Sequence, residues 1–165
     1  MPTTSQTSDS LFLTSAAEFS EQIRQSILDA RRHIRILSHQ LDPAIYDQPS
    51  IVEALSAFAR QSREAKVKIL VRDSDEIIER SHRLAALVRR LPTKLALRKL
   101  VLEPNNQSMA FALADTRTLV YQNEDGYYAG FANTNAAAQV KSLSEMFDDC
   151  WEKAQEEPRL RMLYI

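Results

Sequence analysis

The order of strand-period and helix-period segments in this 165-residue chain predicts an α/β fold, a mixed, mostly parallel sheet covered by helices on both faces. Three observations predict it. Strand-like and helix-like segments alternate from Leu11 to Val101, "KVKILVRD" (66–73) rises to a nearly continuous apolar run, and a succession of short strands is followed by one long amphipathic helix.

In chain order, the polar first ten residues are expected to be disordered, and residues 11–165 to form a single domain. "LFLT" (11–14) reads as a short strand. Ser15 with Glu18 three residues on gives the capping-box pattern, and Phe19, Ile23 and Ile27 share one face of the helix that follows. "HIRILSHQLD" (33–42) is a strand, with Ile34, Ile36 and Ser38 on one face. "DPAIYDQP" (42–49) is a loop, and a second helix runs from about Ser50 to Arg63. After "KVKILVRD", a third helix extends from Asp75 to about Leu91, where Pro92 breaks it. "KLALRKLV" (94–101), "SMAFALAD" (108–115), "TLVYQ" (118–122) and "GYYAGFAN" (126–133) are strands, the second and third joined by a tight antiparallel turn. A last helix spans roughly Asn135–Ala154, and "RLRMLYI" (159–165) is read as a closing edge strand.

Composition excludes several classes. Lys+Arg is 21 against Asp+Glu 22, so overall charge selects no partner. The single cysteine, Cys150, rules out a disulfide framework and a Cys-rich zinc site, and its helical setting favours a packed thiol. No two-histidine spacing suits a metal, so neither metal nor cofactor is expected. The two glycines, Gly126 and Gly130, both lie in "DGYYAGFAN", so no glycine loop joins a strand to a helix as nucleotide-phosphate binding requires. No apolar run reaches the roughly 20 residues of a membrane span, and no signal-peptide pattern opens the chain. The expectation is a soluble, cytoplasmic protein.

"SMAFALAD" has unequal faces. Met109, Phe111 and Leu113 are bulky, whereas Ser108, Ala110, Ala112 and Ala114 are small, and the strand stops at Asp115. Here the chain resembles the phospholipase D-like superfamily. The hallmark of that family is His-x-Lys-x-x-x-x-Asp on a strand, followed by a hairpin and a Gly-Ser-x-Asn turn leading into a helix. Laid on this sequence, the His position falls at Ser108, the Lys position at Ala110 and the acid at Asp115. The turn is matched to "GFAN", keeping Gly130 and Asn133 and placing Phe131 where the family has Ser. The resemblance runs from about Leu11 to Trp151. It implies a phospholipase D-like half-domain whose nucleophile and phosphate-neutralising lysine are missing, so that phosphodiesterase chemistry is lost and no catalytic residue remains. It also implies a C2 homodimer, because single half-domains of the family pair, and places the ring of Phe131 toward the old phosphate site.

The reading is therefore a non-catalytic binding or scaffolding module, with a protein partner or a second copy as its target. Two alternatives stand beside it. Strands of an α/β sheet gather sites beyond their carboxyl ends, here "SHQLD", "VRD" and "LAD". His39, Arg72, Asp73 and Asp115 could there serve a phosphate-ester enzyme with relocated chemistry. The second alternative is nucleic-acid binding through Arg80, Arg83, Arg89, Arg90, Lys94, Arg98 and Lys99, seven bases without an acid between residues 80 and 102. By contrast "SEMFDDCWEKAQEEP" (144–158) holds six acids and one lysine, so the two stretches can equally be complementary faces.

Overall fold

The computed structural model describes residues 10–104 and 108–160. Eight strands form one sheet in the order β1-β7-β6-β5-β2-β3-β4-β8. They are β1 Ser10–Leu13, β2 His33–Ser38, β3 Lys66–Val71, β4 Leu95–Lys99, β5 Ala110–Ala114, β6 Thr118–Gln122, β7 Gly130–Asn133 and β8 Gln155–Glu156. The helices are α1 Ala16–Asp29, α2 Pro43–Tyr46, α3 Pro49–Gln61, α4 Asp75–Glu79, α5 Arg83–Arg90 and α6 Ala137–Lys153, followed by a 3-10 turn at Pro158–Leu160.

The sheet is mixed, but it is not mostly parallel. Only β2–β3 and β3–β4 are parallel, and the other five pairings are antiparallel. The reason lies in connection length. Helical crossovers separate β2, β3 and β4 and permit parallel pairing, whereas β5 and β6 are joined by a tight turn that reverses the chain. The first strand travels to the far edge and pairs antiparallel with β7.

Helices cover both faces, as expected from the alternating pattern. On one face Phe19, Ile23 and Ile27 of α1, Leu55 and Phe58 of α3, and Leu84 and Leu87 of α5 pack with Ile34, Ile36, Val67 and Ile69. On the other, Val140, Phe147 and Trp151 of α6 pack with Leu37, Leu70, Phe111 and Leu113. Strand β5 is buried at every position, and its two faces divide between these layers. Phe111 and Leu113 meet α6, while Ala112 and Ala114 belong to the α1 layer. Those small residues let α1 lie close to β5 and β6.

Local chemistry sets the helix ends. Ser15 Oγ accepts the Glu18 amide at 3.2 Å, and the Glu18 carboxylate accepts the Thr14 amide and hydroxyl at 2.8 and 2.9 Å. Two expectations change. The "DPAIYDQP" stretch contains the single turn α2, which Asp42 caps by accepting from the Ala44 amide. The helix expected from Asp75 to Leu91 is broken into α4 and α5, with Ser81 between them at φ 53°. His82 makes the break tolerable. Its Nδ1 accepts the Leu84 amide at 3.0 Å, so its Nε2 carries the proton and donates to the Leu41 carbonyl at 3.0 Å.

Of the first ten residues expected to be disordered, 1–9 lie outside the described residues and Ser10 begins β1. Of the expected closing strand, Arg159 and Leu160 lie in the 3-10 turn and the rest is outside the described residues. The strand at that edge is the two-residue β8 instead. Among the described residues, no helix is long and apolar enough to cross a membrane.

The two glycines differ in what they do. A Cβ on Gly130 would stand 1.9 Å from the Tyr121 carbonyl oxygen, whereas Gly126, at φ 91°, has nothing within 4 Å. Gly130→Ala should therefore cost about 3 kcal/mol or more through a backbone clash, and Gly126→Ala only about 1 kcal/mol of conformational strain. Urea unfolding of both variants beside the native chain measures the difference.

Candidate functional site

Strand direction decides which residues meet. β2 and β3 run parallel, so Ser38–His39 and Arg72–Asp73 emerge at the same end of the sheet. β5 is antiparallel to β2, pairing Leu37 with Phe111 and Ile34 with Ala114. Its amino end therefore stands beside Ser38, and Asp115 stands beside His33 at the opposite end. The expectation that "LAD" would join "SHQLD" and "VRD" fails for this reason.

At the shared end, His39, Gln40, Arg72, Ser108, Glu124, Asp125 and Gly126 line a concavity of about 330 Å³. Asp125 ties its walls together. Its Oδ2 accepts from the His39 amide at 2.5 Å and the Ser38 hydroxyl at 3.2 Å, and its own amide donates to the Ser108 carbonyl at 2.7 Å. The Ser38 Oγ in turn accepts the amide of Leu41, a residue held at φ 57°. Nearby, Tyr128 donates to Asp42 at 2.8 Å, and Tyr46 is buried with its phenol pushed far up by desolvation and by Asp125 and Asp42. Sequence reasoning missed Asp125 because the acid sits in a turn, where aspartate is common for local reasons.

Arg72 is the unusual member. Its side chain is 7% exposed and its Nε lies 3.4 Å from Glu103 Oε2. Its two terminal nitrogens are buried and have no hydrogen-bond partner among the described residues. Asp73 turns away from this role, since its Oδ1 accepts the Asp75 amide at 2.9 Å at the start of α4.

Asp115 is a structural clamp. At φ 52°, it accepts the amides of Arg31, Arg32 and His33 at 2.9, 2.8 and 3.0 Å, and its own amide donates to the His33 carbonyl. Burial works to raise its pKa, but the three amide hydrogen bonds and the neighbouring His33 overcome this and hold the carboxyl below its ordinary range. Asn133 also lies at this end, paired with Leu119 and Ser10, accepting the Asn135 amide at 2.7 Å and donating to Ser10 Oγ at 3.2 Å.

The "GFAN" segment is strand β7, so it is not the turn that leads into a helix. Phe131 is correspondingly displaced from the place foreseen for it. It stacks on Tyr121 with ring centroids 5.6 Å apart, on the α6 side, in a surface concavity shared with Leu119 and Leu143. The turn that does abut Ser108 is the one containing Asp125 and Gly126.

The basic stretch is dispersed. Arg80 pairs with Glu76, Arg83 with Asp47 at 3.1 Å, Arg89 donates to the Arg159 carbonyl, and Lys94 donates to the Ser62 carbonyl. Arg98 lies under α6, donating to the Trp151 carbonyl with its guanidinium 4.5 Å from the Trp151 ring. Arg90 and Lys99 lie on α5 and β4, on separate elements. Cys150 is buried, and desolvation followed by Asp149 pushes its thiol up, away from nucleophile character.

Three comparisons place this geometry among known proteins. A family model described as "Domain of unknown function (DUF7931)" matches residues 15–163. A search of curated proteins gave no match. Among solved structures, the chain is similar to Nuc, a phospholipase D family member from Salmonella typhimurium, with TM-score 0.61 and 15% identity over 90% of this chain and 97% of that one. It is similar to NucT from Helicobacter pylori, with TM-score 0.62 and 13% identity over 90% and 98%. TrmBL2, an archaeal chromatin protein whose structure shows a novel mode of DNA binding, matches with TM-score 0.64 and 16% identity over 90% of this chain, which spans 54% of that protein. The fold is phospholipase D-like.

The Asp115 clamp and buried His82 give a signed pH dependence. A depressed carboxyl contributes stability that is full above its unfolded pKa, near the ordinary 3.8, and is lost as pH falls through the folded value. His82, depressed mainly by burial, loses stability as pH falls below the ordinary 6.5 toward its folded value. Replacing Asp115 by Asn should flatten only the acid limb of a stability-against-pH curve, and His82→Gln only the limb beginning near 6.5. Thermal melts from pH 8 to pH 3 test both.

Proposed function

The chain belongs to the family described as "Domain of unknown function (DUF7931)", and from that premise we propose that it is a non-catalytic phospholipase D-like domain that works as a cytoplasmic binding module, as a homodimer. One observation carries the reading. At the residues matched to the family's nucleophile and lysine, the chain offers Ser108 and Ala110, and Ala110 is buried in β5. No histidine lies within the motif itself, and a lysine cannot be supplied there without burying its charge. Asp115, matched to the family's acid, is fully engaged by backbone amides and acts on the fold. Residues 11–165 act as one domain in this reading, and in the described part of it two helical layers cover a single sheet.

The alternatives are supported less. A phosphate-ester enzyme built on His39, Arg72 and Asp115 needs three groups at one place, and Asp115 is at the other end of the sheet. A nucleic-acid surface built on Arg80–Lys99 needs free cations on one face, and most of those side chains are already bonded within the fold. The DNA binding of the archaeal chromatin protein is that protein's property.

The test is an activity and assembly pair. The purified chain should release no product above buffer from bis(p-nitrophenyl) phosphate, from a phospholipid or from single-stranded DNA, and should sediment at twice its 18.8 kDa mass. Hydrolysis that His39→Ala abolishes would return the enzyme reading, a monomer at micromolar concentration would remove the dimer, and salt-sensitive DNA binding lost on reversing Arg89 and Arg90 would return the nucleic-acid reading.

A further inference from the structure

The concavity at the shared strand ends contains a charge pattern that its own fold leaves incomplete. Arg72 is the one arginine or lysine among the residues that line it. Its side chain is 7% exposed, and both terminal nitrogens are shielded from solvent with no hydrogen-bond acceptor. Burying guanidinium N–H groups without partners is costly, and the single ionic neighbour, Glu103, is 40% exposed and 3.4 Å from Nε. Turning the guanidinium into the concavity would give up that one contact and would release two N–H-bearing nitrogens that have no acceptor among the described residues where they now lie. By comparison, Arg35, on the neighbouring strand, is satisfied by a two-pronged contact with Asp148 at 2.9 and 3.2 Å. Arg72 has Glu103 on its Nε alone, and its two terminal nitrogens have no acceptor among the described residues.

The rest of the lining indicates which anion fits. Glu124 and Asp125 stand in the same wall, and Glu103 is beside the arginine. Three carboxylates against one guanidinium repel a doubly charged phosphate, while a planar carboxylate matches the fork as a single charge. A ligand that also carries an ammonium group would turn the remaining acids from a penalty into partners.

We infer that this concavity binds a small ammonium carboxylate of the α-amino-acid class, with the carboxylate on the terminal nitrogens of Arg72 and the ammonium toward Glu124 and Asp125. The inference rests on the binding-module reading and gives it a ligand class.

The experiment is a thermal-shift series on the full chain. Each common α-amino acid is added singly at millimolar concentration, with acetate and inorganic phosphate as probes that carry only negative charge. At least one amino acid should raise Tm, by about 5 °C or more at a hundredfold excess over Kd, and neither acetate nor phosphate should. Arg72→Met should be as stable as the native chain without ligand, or more so, and should lose the shift. Glu124→Gln, an exposed change, should leave the unliganded Tm alone and shrink the shift. If Arg72→Met does not fold, the Glu124→Gln result decides, and an undiminished shift overturns the inference. It is also overturned if no amino acid acts, if phosphate or acetate acts as well as the best amino acid, or if Arg72→Met keeps the shift. Hydrolysis of a phosphodiester by the native chain would refute the non-catalytic reading and leave this one standing, whereas a flat series refutes this one alone.

Discussion

The reversal of β5 between β2 and β6 is the constraint on which the rest of the structure depends. The strand sits at the centre of the sheet, buried at all five positions, with antiparallel neighbours on both sides. Its orientation brings Ser108 to the end where β2 and β3 deliver His39 and Arg72, and sends Asp115 to the other end. Its side chains also decide the spacing of the layers. Alanines toward α1 allow close approach, while Phe111 and Leu113 fill the wider gap beneath α6, where Phe111 meets Phe147 at 6.4 Å between centroids.

Two aspartates hold the two ends of that strand, and they do so by the same physics. Asp115 gathers three amides at the start of β2, and Asp125 gathers an amide and a hydroxyl at its finish. Each satisfies backbone donors that a strand end leaves without a ladder partner. The carboxylate that a catalytic reading would put to work is thus committed to the fold at one end, and the concavity at the other end is bounded by an acid that is a tether before it is anything else.

What was legible in the residues was periodic. The faces of α1, α3 and α6 could be read because apolar residues repeat at helical spacing, "KVKILV" because it is a nearly continuous apolar run, and β5 because large and small side chains alternate. The capping of α1 by Ser15 was legible because its signal is local. The break between α4 and α5 was not, since no Pro or Gly marks it and the residue that makes it possible, His82, bonds to Leu41 forty-one positions away. Strand direction was equally hidden. "GFAN" carries a glycine and an asparagine as a turn would, yet Gly130 is there because the Tyr121 backbone leaves no room for a Cβ. His39 and Arg72 were found from their strand ends and Ser108 from the family motif, whereas Asp115 was misplaced because "carboxyl end" means opposite places for β3 and β5.

The charge asymmetry of the chain has its explanation mostly inside the molecule. Arg35 of β2 and Arg98 of β4 lie under the acidic helix α6, the first on Asp148 and the second on the Trp151 carbonyl and ring, with Lys68 of β3 5.5 Å from the same ring. One ion pair, Arg35 with Asp148, and two cations beside the Trp151 ring thus join the sheet to the acidic helix. Arg159 repeats the arrangement at the edge, between Asp75 and Glu157. Set against these, Arg72 is the exception that packing does not account for. It projects from the end of β3, next to a layer in which Arg35 and Arg98 have acceptors, and its terminal nitrogens have none among the described residues. An apolar side chain of similar length would fill that position without the desolvation cost.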